Sequence, residues 1–225
     1  MRLLTALTFL CSLIFCPLAL AGITVSPMVL RLSPGEITGD ITVTNQDKTH
    51  IAYVSIEPKV EQPKKSLNPK ELGYLIAPSK LAIPPASSRL VRVRLTQPPN
   101  NKERRYEIMV RPVEGDLVFA KTGQQKIRAG IRVIVAYGVI LIVPPINPQA
   151  KMTLIRHDQE LTAFNEGNVT VELTNGQQCK DPHSCQKLPN YHIGPGEKKT
   201  IKLLSDIPVT FTQHFASTFS EIHSN

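Results

Sequence analysis

The sequence contains no tryptophan, and aromatic residues of all kinds make up only 5% of it. Proteins that hold single-stranded nucleic acid by stacking need such rings, so base stacking is excluded as a recognition mode. No nucleic-acid motif is present either, and no nucleic-acid partner is expected. Cysteine is scarce, with four in 225 residues. A Ser/His/Asp arrangement, a glycine-rich phosphate loop and a His-Glu-x-x-His run are all missing. The six histidines, at positions 50, 157, 183, 192, 214 and 223, are scattered, and the carboxylates form no sequence cluster. These absences remove the common hydrolytic, nucleotide-dependent and zinc-peptidase chemistries. What remains is a binding protein: not an enzyme, with no cofactor and no metal site expected.

Helical periodicity is also absent. The longest apolar stretch is at the N-terminus, where Arg2 precedes a run from Leu3 to Leu20 that ends in Ala19-Leu20-Ala21. A charged head, an apolar centre and an A-x-A end form a secretory signal, with cleavage expected before Gly22. Polar residues follow at once without a stop-transfer cluster, so stable membrane insertion is not expected. Cys11 and Cys16 leave with the signal. Cys179 and Cys185 remain in an exported chain, where an even cysteine count reads as a disulfide. The competing reading groups Cys179, His183, Cys185 and His192 as metal ligands, but their spacing fits no common zinc pattern. The formal net charge of +8 favours acidic partners, or a partner's carboxylate.

What is present is alternation. From Lys126 to Val143 every second residue (Ile127, Ala129, Ile131, Val133, Val135, Tyr137, Val139, Leu141, Val143) is apolar, a strand signal rich in β-branched residues. At about 3.3 Å per residue this run would span roughly 60 Å, far more than one ordinary strand needs. Such a strand serves more than one sheet or has an edge left to offer. Pro144, Pro145 and Pro148 end it and mark a hinge.

Shorter strands lead up to it. Ile23–Leu32 is broken by Pro27, as suits an edge strand or one that switches sheets. Asp40–Asn45, His50–Ile56, Arg89–Leu95 and Arg105–Pro112 alternate, and Tyr74–Ile83 is one strand or two around Pro78. Leu117-Val118-Phe119 is an apolar island in a loop. Beyond the hinge, Met152–Ile155, Glu160–Phe164, Val169–Leu173 and Thr200–Leu204 restart the pattern with Pro/Gly turns between them. Many short strands in two sets predict an all-β chain of two tandem sandwiches, with a signal over 1–21 and domains over 22–144 and 145–225.

Several segments, in this order, carry a resemblance: ITVTNQD, LAIPPASSRLVRVRL, RYEIMVRPVEG, AYGVILIVPP, LTAFNEGNVTVEL, and the Cys179–Cys185 loop followed by YHIGPGEKKTI. Together they resemble the periplasmic pilus-assembly chaperones, the PapD-like family, closest to its archaic and alternate branches. The resemblance implies immunoglobulin-like sandwiches and partners of two kinds, pilus or fimbrial subunits and an outer-membrane usher. It also implies that the long last strand is lent to a subunit lacking its own final strand. On that reading Ile131, Val133 and Val135 enter the subunit groove. Members of the family hold the subunit's C-terminal carboxylate with an Arg and a Lys. Val29 and Val139 stand at those positions here, which leaves Arg31, Arg89, Arg111 and Arg132 as candidate anchors. The alternative function is a secreted structural or adhesive β-sandwich subunit of a surface fibre.

Overall fold

The computed structural model describes residues 22–59, 72–113, 134–181, 184–203, 206–215 and 218–224. Nine strands form the first unit: β1 (Ile23–Ser26), β2 (Val29–Arg31), β3 (Thr38–Asn45), β4 (Ala52–Pro58), β5 (Tyr74–Ala77), β6 (Lys80–Ile83), β7 (Ser88–Leu95), β8 (Arg104–Val113) and β9 (Tyr137–Val143). They lie in two sheets ordered β1-β3-β7-β5 and β2-β9-β8-β4-β6. Both proline breaks are sheet switches. Pro27 separates β1 from β2, and Pro78 separates β5 from β6, each pair divided between the two sheets. A proline cannot donate to a ladder, so the chain leaves one sheet there and joins the other.

Alternation buries one face of each sheet. Ile41 and Val43 of β3, Val91 and Val93 of β7, Val54 and Ile56 of β4, Ile108 and Val110 of β8, and Val139 and Leu141 of β9 meet in one core. The outward set includes Arg92 and Arg94, and Arg92 is paired with Asp40 at 2.9 Å. Tyr74 packs against Tyr106 with ring centroids 4.9 Å apart. Burial, with a smaller contribution from Tyr106, pushes the Tyr74 phenol up to about 12.

The second unit contains β10 (Met152–His157), β11 (Glu160–Asn165), β12 (Val171–Asp181), β13 (Ser184–Lys187), β14 (Tyr191–Ile193), β15 (Lys198–Lys202), β16 (Val209–Phe215) and β17 (Thr218–Ser224). One sheet runs β10-β11-β15; the other runs β13-β12-β16-β17, with β14 also on β12. Leu161, Ala163, Val171, Leu173, Ile193, Ile201, Val209 and Phe211 form its core. The chain is thus all-β, two sandwiches in tandem.

Three expectations need correction here. The strand expected over Val169–Leu173 is Val171–Asp181, and the cysteine segment is a hairpin rather than a loop. Cys179 lies opposite Cys185 in the β12–β13 register, and the two are joined by a disulfide. With both thiols in that bond, the competing metal reading loses its cysteines. The long strand also differs. Its described part enters the sheet only at Tyr137, with residues 134–136 outside any ladder; residues 126–133 lie outside the described residues, as does the Leu117-Val118-Phe119 island.

Candidate functional site: an open sheet edge beside the domain junction

The last strand of the first sandwich is flanked unequally. On one side β8 pairs with all of β9, from Val110 opposite Tyr137 to Arg104 opposite Val143. On the other side β2 runs parallel and covers only the second half, placing Val29 beside Ile140, Leu30 beside Leu141 and Arg31 beside Ile142. The Ile140 N–H donates to the Met28 carbonyl and the Leu32 N–H to the Ile142 carbonyl, both at 3.0 Å. Before Met28 the chain has bent at Pro27 and joined the other sheet as β1. Among the described residues, no strand therefore lies against the β2 side of 134–138.

The chain that leads into this edge is apolar: Ile134 and Val135, just before β9, are 51% and 53% exposed, and Met28 and Val29, where β2 begins, are exposed too. An unguarded, hydrophobic edge is a template for pairing with another strand. One other edge differs. The edge strand β15 carries Lys198, Lys199 and Lys202, all exposed, the kind of charge that blocks pairing. The phenol of Tyr137 donates to the Ile23 carbonyl at 2.6 Å, tying the start of β9 to the opposite sheet.

The far end of β9 leads to the junction between the sandwiches. Glu103, just before β8, has a fully buried side chain whose Oε2 lies 3.5 Å from Arg31 Nη1. Its Oε1 accepts a 2.6 Å hydrogen bond from the Thr170 hydroxyl of the second sandwich. Its backbone N–H donates to the Asn168 carbonyl at 2.8 Å. Ile142 and Val169 are buried yet belong to neither core. A buried carboxylate facing an arginine of the first sandwich and bonded to a hydroxyl of the second thus lies at the junction.

No protein-family model matches the chain, and no curated protein matches it. Solved structures do match in fold. The class 5 fimbriae chaperone CfaA superposes with a TM-score of 0.68 at 17% identity, over 90% of this chain and 97% of that one. A chain of the CsuC–CsuE chaperone–tip adhesion subunit complex from the archaic Csu pili of Acinetobacter baumannii gives 0.55 at 13%, over 89% and 97%. A chain of the Salmonella enterica SafA pilin–SafB chaperone complex gives 0.59 at 12%, over 91% and 96%. The chain has the two-domain fold of the fimbrial chaperones.

The residues singled out in the sequence fall in different places on that fold. Val135 stands at the open edge, whereas Ile131, Val133 and Arg132 lie outside the described residues. Arg31 is on β2, the strand that flanks β9 on the side of the open edge, and its side chain is 43% exposed. Arg89 is on β7 in the opposite sheet, donating to the Ser88 carbonyl at 3.3 Å. Arg111 is exposed on β8, next to Ser55 of β4 and away from the open edge. Two residues of the junction escaped the sequence reading. Glu103 and Thr170 are isolated polar residues whose pairing spans 67 positions, and no local pattern marks such a pair.

Proposed function

We propose that the protein is a periplasmic, non-enzymatic chaperone that holds pilus or fimbrial subunits by lending them a β-strand and delivers them to an outer-membrane usher. The observation that carries this reading is the half-covered β9, whose open edge is unguarded and entered through exposed apolar residues while β15 is guarded by lysines. A subunit missing its final strand has the complementary defect, an open groove with unpaired backbone groups. Strand addition satisfies both edges at once. The fold supports the same reading, since the neighbours include a chaperone with a pilin and a chaperone with a tip adhesion subunit. The rival, a subunit of the fibre itself, is less apt, because the likeness to fimbrial chaperones runs along nine-tenths of the chain.

In this mechanism Ile131, Val133 and Val135 are the side chains that enter the subunit groove. Arg31 is the anchor for the client's terminal carboxylate, because its charge lies beside β9 and a guanidinium can bind a carboxylate through two parallel hydrogen bonds. The signal occupies 1–21, and the working domains are 22–144 and 145–225. The test is expression of the tagged full chain in a bacterium that makes its own surface fibres, followed by purification from the periplasm and mass spectrometry of companions. A stoichiometric fibre subunit, and an N-terminus at Gly22, are expected. Recovery without any companion, with Met1 intact in the cytoplasm, or as a polymerised component of the fibre would overturn the reading.

A further inference from the structure

On the outer face of the β2-β9-β8-β4-β6 sheet, β9 presents Ile140 and Ile142 but has a notch at Gly138. The glycine is not required by its backbone, because its φ is not positive. It is required by a neighbour. A Cβ at 138 would stand 2.7 Å from Oε1 of Glu107, so the carboxylate of β8 leans across β9 and lies over the notch. Glu107 is held there from one side only. Its Oε2 accepts from Lys59 Nζ at 2.8 Å, and its carbonyl accepts from the Lys59 N–H at 2.8 Å. Oε1 has no hydrogen-bond partner among the described residues, and the side chain is 32% exposed.

We propose that Glu107 reads a cationic side chain, Lys or Arg, carried on the outer face of the strand that pairs with β9. The inference deepens the strand-lending reading and rests on it. An added strand would run about 4.8 Å beyond β9, which brings a Lys or Arg on that face within reach of Oε1. The strand would also displace the water that hydrates this oxygen, so an apolar side chain there leaves a charged acceptor unsatisfied. A carboxylate at the same point meets a like charge. Lys59 neutralises part of Glu107 and, more usefully, fixes its orientation, leaving one oxygen aimed at the edge. Glu107 is a specificity residue for the client strand, distinct from the backbone pairing that supplies most of the binding.

The test uses the purified mature chain and a set of amidated, fluorescently labelled alternating Val/Thr peptides. One outward position, scanned along the peptide, is Lys, norleucine or Glu. At one position the Lys peptide should bind roughly tenfold more tightly than norleucine, as expected for a charge-assisted hydrogen bond, with Glu weakest. Glu107→Gln should erase that preference without weakening the norleucine peptide, and Glu107→Lys should reverse it. Peptides that bind with no charge preference at any position would overturn the inference while leaving strand pairing intact, Glu107 then serving Lys59 alone. Failure of every peptide to bind or to protect the β9 amides from exchange would instead overturn the open-edge reading beneath it.

Discussion

Asn45 and Asn165 do the same work in the two sandwiches. Each ends a strand with its side chain buried. The Asn165 amide donates to the carbonyls of Val169 and Ile193, both at 2.8 Å, while its oxygen accepts from the Gly167 N–H. The Asn45 amide donates to the carbonyls of His50, Ile83 and Pro84, and its oxygen accepts from the Asp47 N–H. In both, one side chain joins its own turn to the isoleucine that ends a distant strand. Asn165→Ala would leave those buried backbone groups unpaired. We expect a loss of about 2–3 kcal/mol, read as a shift in the urea midpoint at unchanged m-value. Asn165→Asp, which keeps the acceptor and loses both donors, should fall as far at neutral pH, with a buried charge added. A loss below about 0.5 kcal/mol, the range of ordinary surface changes, would show that the asparagine is not structural.

At the scale of the element, two valines of one alternating run have opposite fates. Val139 is fully buried in the first core and Val135 is half exposed four residues earlier. Val139→Asp should unfold the first sandwich, because an unpaired carboxylate would be buried there. Val135→Asp should change stability by less than about 0.5 kcal/mol and yet abolish subunit capture. Thermal unfolding beside a periplasmic pull-down separates the two; a stable Val135→Asp that still captures its subunit would remove Val135 from the donor strand. The contrast also shows what the sequence could convey. Alternation reports which side chains share a face, so most strands of the first sandwich, their buried set and the breaks at Pro27 and Pro78 were legible, although that the chain changes sheet at Pro78 was not. Alternation does not report where pairing starts: among the described residues of the run, 134–136 stand outside the ladder and pairing begins at Tyr137. The β16–β17 hairpin went unread for a related reason. Its polar positions, Thr210, Thr212, His214 and Glu221, obscure a core contribution that comes chiefly from Val209 and Phe211. Of the four candidate anchors, sequence order alone could not separate Arg31 from Arg89, since sheet membership is set by pairing partners far along the chain.

For the whole molecule the question is what fixes the angle between the sandwiches. Glu103 is the natural candidate. Its carboxylate is wholly removed from water, an expensive placement unless both oxygens are served. Thr170 serves Oε1 directly, and Arg31 faces Oε2 at 3.5 Å, too long for a hydrogen bond. The second sandwich thus supplies the only hydrogen bond to that carboxylate among the described residues. Separating the domains would leave the charge without it. Thr170→Val keeps the shape and removes the hydroxyl, so the junction should lose about 1–3 kcal/mol while neither core changes. The expected signature is a broadened distance distribution between spin labels placed one on each sandwich, with amide exchange in both cores unaltered and subunit capture weakened. Glu103→Gln should be milder, because it removes the buried charge and retains an acceptor for Thr170. If Thr170→Val instead lowers exchange protection in the second core and leaves the distances sharp, the pair serves local folding and does not hold the angle.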